Sequence, residues 1–190
     1  MANYLPGTTV EADPTRPDAA ESLLSPLFLA GGLVLSQVAR LTGLEPYVIQ
    51  NWVRRGFVAP PENKLYTRRQ FSRIVLINML KDCLQLDKIC SLLSYINGTL
   101  DDESDDLIDD WQLYCYAVRI IGQAQNRSPA GKKRVSGWCA AILEDYQEPA
   151  PGARARVERC LHIILTAWLA GQLKQEAETL LNQLEPSVLA

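Results

Sequence analysis

The stretch "LEPYVIQNWVRRGFVAPP", residues 44–61, decides how this chain is read. Pro46 suits the first turn of a helix, where its missing N–H would have no intrahelical partner anyway. The helix it opens runs to about Arg55, and Gly56 with the Pro60-Pro61 pair forces an extended path after it. At 100° per residue, Tyr47, Gln50, Asn51, Arg54 and Arg55 follow the i, i+3, i+4, i+7, i+8 rule and form one polar stripe. Val48, Ile49, Trp52 and Val53 occupy the other side. The apolar side is expected to pack on a core. The polar side is free of acid and carries groups that read base edges, Gln or Asn bidentate to adenine and Arg bidentate to guanine.

Working outward, Ser36 is the expected N-cap of a short helix, "QVARLTG", that ends at Gly43. The result is a helix, a tight turn and a second helix. Downstream, residues 57–67, "FVAPPENKLYT", are too proline-rich for a helix and read as a small two-stranded wing turning at Glu62-Asn63. Thr67 and Gln70 then form a T-x-x-Q capping box that opens a helix through "FSRIVLINMLKDC", apolar nearly all round and so central to the core. A further helix, "LDKICSLLSYI", ends at Asn97-Gly98. Charge is partitioned along the chain: Ser36 to Lys81 holds eight basic residues against two acidic, and Asp82 to Glu148 twelve acidic against six basic. Lys64, Arg68 and Arg69 flank the stripe where a duplex backbone would lie, and Tyr47 and Tyr66 are candidate phosphate donors.

Residues 1–32 read as an N-terminal arm docked by a few leucines of "SLLSPLFLAGG". Beyond Gly98 the acidic run "DDESDDLIDD" precedes three expected helices, 106–125, 134–147 and 153–184, separated by Pro/Gly segments near 128–131 and 149–152. The expected organisation is therefore an arm at 1–32, a helix-turn-helix module with its wing at 33–98 and a helical C-terminal domain at 99–190. The fold class is mainly α. In the last helix Val157, Leu161, Ile164, Leu165, Trp168, Leu173, Leu180, Leu181 and Leu184 make a broad apolar stripe that needs a partner.

Over residues 35–93 the order and pattern "LSQVARLTGLEPYVIQNWVRRGFVAPPENKLYTRRQFSRIVLINMLKDCLQLDKICSLL" resembles the winged helix-turn-helix of the MerR superfamily. More closely, "GLEPYVIQNWVRRGFVAPP", "KLYTRRQ", "IVLINMLKDCLQLDKI" and "DDLIDDWQLY" look like the bacterial family called domain of unknown function 1836, DUF1836. The first resemblance implies DNA binding, with helix 46–55 in the major groove and the wing on the backbone. MerR regulators typically have an arginine, two aromatics and a glutamate where this chain has Gln50, Asn51, Trp52 and Val53, so their contacts are not carried over wholesale. The DUF1836 family has no established activity to import.

With 190 residues, 47% apolar and 22% charged, the composition is that of an ordinary globular protein, and a net charge of −3 says little by itself. The longest uncharged run, Ser22 to Ala39, contains Pro26, Gly31 and Gly32 and follows acidic residues, unlike a signal peptide or a membrane span. Cys83, Cys90, Cys115, Cys139 and Cys160 form no C-x-x-C pair and are read as reduced core residues of a cytoplasmic protein, and His162 as a packed core histidine. No nucleophile and base pair, glycine-rich phosphate loop or metal-ligand spacing stands out, so no enzyme, cofactor or metal is expected. The leading expectation is a sequence-specific transcriptional regulator. Its DNA-binding residues would be Tyr47, Gln50, Asn51, Arg54, Arg55, Lys64, Tyr66, Arg68 and Arg69. Its partners would be double-stranded DNA and a second copy joined through the C-terminal helices, with no membrane and with any small-molecule effector unknown. The alternative is a protein-interaction adaptor that keeps the winged fold and works through its C-terminal helices.

Overall fold

A computed structural model of the chain describes residues 3–13, 16–100, 102, 104–125 and 131–184, the side chains of 131–136 excepted. The described part is mainly helical. Its elements are α1 (Ala19–Leu24), β1 (Leu33–Val34), α2 (Leu35–Thr42), α3 (Pro46–Arg54), β2 (Leu65–Tyr66), α4 (Arg68–Leu80), α5 (Leu86–Asn97), α6 (Asp110–Gln125), α7 (Gly131–Ile142) and α8 (Ala153–Asn182). The last three begin or end a few residues from the expected 106–125, 134–147 and 153–184. The expected separator near 128–131 lies almost wholly outside the described residues, as do Asp101 and Glu103 of the acidic run and residues 185–190.

Helix boundaries follow local chemistry. Pro46 stands at the start of α3, and α2 closes on Gly43 at φ 69°, a left-handed position that a side chain would strain. At α4 the box is complete: the Gln70 N–H donates to Thr67 Oγ1 and the Thr67 N–H to Gln70 Oε1. The start of α2 corrects the Ser36 expectation. Val34 is the cap position, because β1 runs directly into the helix and the Gln37 side chain reaches back to accept the Val34 N–H at 2.9 Å.

The sheet also differs from the two-stranded wing expected within 57–67. Glu62 and Leu65 close a tight turn through reciprocal backbone bonds, with Asn63 and Lys64 both at positive φ. That is the conformation whose twist suits a two-residue hairpin. The main partner of β2, however, is β1, antiparallel, with Leu33 opposite Tyr66. A two-residue strand carries too little periodicity to announce itself in sequence.

α4 is the axis of the molecule. Phe71, Ile74, Val75, Leu76, Ile77 and Leu80 are all fully buried, and α2, α5, α6, α8 and β2 pack around the helix. One continuous core runs from Leu5 to Ala167 and crosses the connection at residues 98–99. The arm belongs to it: Leu5 and Leu24 are fully buried, the Tyr114 hydroxyl donates to the Pro6 carbonyl, and Asn78 donates to the carbonyls of Gly7 and Thr42. Gly7 is required there, since at φ 73° a Cβ would stand 2.5 Å from the Val75 carbonyl oxygen.

Within this apolar core sits one charged hub. Asp110 is completely buried. Its carboxylate takes Arg73 Nη1 at 3.4 Å on Oδ2 and Asn97 Nδ2 at 2.8 Å on Oδ1. The hub joins α4, the end of α5 and the start of α6, where the helix dipole favours a carboxylate. Burial pushes the Asp110 pKa up, and the Arg73 and Arg69 charges pull against that rise. Burial likewise pushes the thiols of Cys115, Cys139 and Cys160 up to about 12, which leaves them neutral and unreactive at physiological pH. His162 is only half-buried, so it is not the packed core residue the sequence suggested.

Replacing Asp110 by Ala strands the Arg73 guanidinium without its counter-charge and is expected to lower the unfolding free energy by about 3–5 kcal/mol. Asp110→Asn keeps an acceptor oxygen and should lose less. Urea denaturation measures both, and a loss below about 1 kcal/mol for the alanine variant would show the hub to be dispensable.

Candidate nucleic-acid interface

α3 sorts its two sides as its spacing requires. Ile49 and Trp52 are buried, Val48 and Val53 half-buried, and Tyr47, Gln50, Asn51, Arg54 and Arg55 are exposed. The helix packs on α2, and α4 holds the segment that follows it. Arg73 Nε donates to the carbonyl of Phe57 at 2.9 Å, just after α3 ends, and Gln70 Nε2 donates to that of Pro60 at 2.8 Å. Val58, between those anchors, is fully buried. The strap from α3 to the hairpin is thereby fixed on a rigid support, with Lys64 exposed at the hairpin tip.

Between α3 and the hairpin lies a groove of about 620 Å³. Gln50 and Lys64 line it together with Val34, Leu35, Pro46, Val53 and Pro61. An amide from the stripe and an ammonium from the hairpin therefore share one concave surface, with apolar walls between them.

The remaining expected contact residues are placed differently. Tyr66, in β2 opposite Leu33, is buried to 3% exposure, which raises its pKa, and it lines the groove wall rather than the open surface. Arg69 is half-buried in an ion pair with Asp106 at 2.9 Å. Arg68 is exposed but stacks over the Trp111 ring at 5.2 Å, turned towards α6. Arg55 lies over the Phe57 ring at 4.3 Å and pairs with Asp87 of α5 at 3.6 Å. Tyr47, Gln50, Asn51, Arg54 and Lys64 are the expected residues left open to solvent without such a pairing among the described residues.

Sequence reasoning missed Arg73 and Gln70 as the residues that position this surface. Gln70 was legible only as half of a capping box. Arg73, an arginine inside an apolar helix, was the available signal, since an arginine is almost never fully buried without a partner. The described residues contain no group of three or more His, Cys, Asp or Glu side chains able to hold a metal ion, and no described helix is long and apolar enough to cross a membrane.

No curated protein and no solved structure matches the chain. Residues 33–116 match the family model described as Domain of unknown function (DUF1836), a stretch that runs from β1 into α6 and takes in the α3 stripe, the hairpin, Arg73 and Asp110.

Proposed function

We propose that this protein is a sequence-specific DNA-binding protein of the winged helix-turn-helix kind, acting in transcriptional regulation, with α3 in the major groove and the hairpin tip on the backbone. The observation that carries the reading is the exposed, carboxylate-free stripe of α3, followed by a strap that Arg73 and Gln70 anchor through the Phe57 and Pro60 carbonyls, and sharing a groove with Lys64. Base readout needs such donors and acceptors on a rigid helix, because a bidentate pair discriminates only if its geometry is held. Gln50, Asn51 and Arg54 would read bases. Tyr47 and Lys64 would meet phosphates, and Arg55 would join them once released from Asp87.

A protein-interaction adaptor is the second reading, favoured by the apolar walls of the groove, where Val34, Leu35, Pro46, Val53 and Pro61 would suit a peptide as readily as a duplex edge. Salt separates the two. Phosphate contacts release counterions and give a steep fall of affinity with salt, which an apolar peptide groove does not.

Selection of bound duplexes from a random pool at two salt concentrations is the direct test, and recovery of no enriched sequence would remove the DNA reading. On a selected site, Asn51→Ala and Arg54→Ala are each expected to lose about 1–3 kcal/mol of discrimination at one base position while leaving the circular dichroism spectrum unchanged. Lys64→Ala should weaken all sequences alike and reduce the salt slope by about one unit. A shift in its base preference would instead give Lys64 a reading role. Asp87→Asn frees Arg55 and removes a like charge from the edge of the contact face, so affinity for any duplex should rise by a few-fold, the modest scale of an exposed ion pair. An unchanged or lower affinity, measured by fluorescence anisotropy, would take Arg55 out of the interface.

A further inference from the structure

α8 is a core helix only over its first half. Val157, Cys160, Leu161, Ile164 and Leu165 are buried, whereas every residue from Gln172 to Leu184 is exposed. Leu173, Leu180, Leu181 and Leu184 are each more than half exposed. Their spacing is not random. Written as a heptad, Ile163, Ala170 and Ala177 fall at a, and Thr166, Leu173 and Leu180 at d, all of them exposed and forming one strip about 26 Å long, with Leu184 exposed just past the helix end. A strip of this kind on a solvent-facing helix marks an interaction surface.

We infer that the occupant of this strip is the same strip of a second copy, packed antiparallel about a point near Gln175. The argument is one of side-chain size. In a parallel pair each residue meets its own copy, so Ala170 and Ala177 would each face alanine between layers of facing leucines, and the helices would be held apart over gaps. In the antiparallel register the leucines of the strip meet small residues. Leu173 falls on the partner's Ala177, Leu180 on the partner's Ala170 and Leu184 on the partner's Thr166, while Leu181 flanks the partner's Ala167. Alternation of large and small side chains across facing positions lets two helices approach closely without voids.

The surface at the foot of the strip agrees. An apolar hollow of about 390 Å³ lies there, lined by Cys83, Leu84, His162, Ile163, Thr166 and Ala170. In the antiparallel register the tip of the partner helix, with Leu181 and Leu184, arrives at this hollow. Knob and hole therefore stand on one helix at the spacing that a two-fold axis exchanges, which is the self-complementarity an isologous interface requires. This inference goes beyond the DNA reading and does not rest on it.

The test is made without DNA, so its failure leaves that reading standing. Sedimentation equilibrium of the full chain at micromolar concentration should give twice the chain mass. The pair Leu173→Asp and Leu180→Asp should give the monomer mass with unchanged helicity, because both residues are in solvent within the protomer and the fold does not need them. In a Cys83→Ser background under mild oxidation, Leu180→Cys mixed with Ala170→Cys should form a disulfide-linked heterodimer, and Leu180→Cys alone should not link to itself. A monomer at micromolar concentration overturns the inference. Efficient self-linkage of Leu180→Cys overturns it too, since that requires parallel helices.

Discussion

A buried carboxylate has to be answered by a positive charge or by donors, and in this protein that requirement connects parts of the chain far apart in sequence. Asp110 receives Arg73 from α4 and Asn97 from the end of α5, and Arg73 uses its remaining donor geometry to hold the carbonyl of Phe57 behind α3. A planar guanidinium with donors in a fixed fork imposes orientation as well as charge neutralisation. The start of α6, the end of α5 and the exit of α3 are therefore set relative to α4 by one group of atoms. An apolar core of the same volume would pack, but it would tolerate sliding that this arrangement does not.

The same network gives the outer surface its character. Arg73 and Gln70 turn inward to hold the strap and Arg69 is drawn to Asp106, while Arg54, Arg55 and Lys64 stay exposed around the groove. A basic module followed by an acidic one thus folds with several of its charges neutralising each other across the two parts. Arg55 with Asp87 is a surface instance, exposed enough for solvent to screen it and for another anion to compete. Arg69 with Asp106 is more enclosed and serves the fold.

α8 shows a second division of labour, along one helix. Its first half closes the core over α4, α5, α6 and α7, and its second half continues into solvent with leucines and alanines still in register. A helix that only had to complete the core would have no physical reason to keep large apolar residues on a regular strip beyond it. The arm at the opposite end of the chain is docked on the core through Leu5 and Leu24, while Leu23, Leu27 and Leu29 stay exposed.

The sequence by itself determined what depends on residues within one or two turns: Pro46 at the head of α3, the reciprocal Thr67 and Gln70 cap, the ends of α2 and α5 at Gly43 and Asn97-Gly98, and the sorting of α3 into a buried and an exposed side. It also marked the 153–184 stripe as wanting a partner, though not which half of it the core would cover. Tertiary structure alone decided the pairing of β1 with β2, the helical form of residues 19–24, the burial of Tyr66 and the capture of Arg55 and Arg69 by carboxylates. It alone brought Arg73 to Asp110, a residue 37 positions away. The physical reason is common to these cases. Periodicity and capping are properties of a local backbone geometry, whereas a strand partner or a counter-ion is chosen by proximity in space among groups that sequence spacing does not relate.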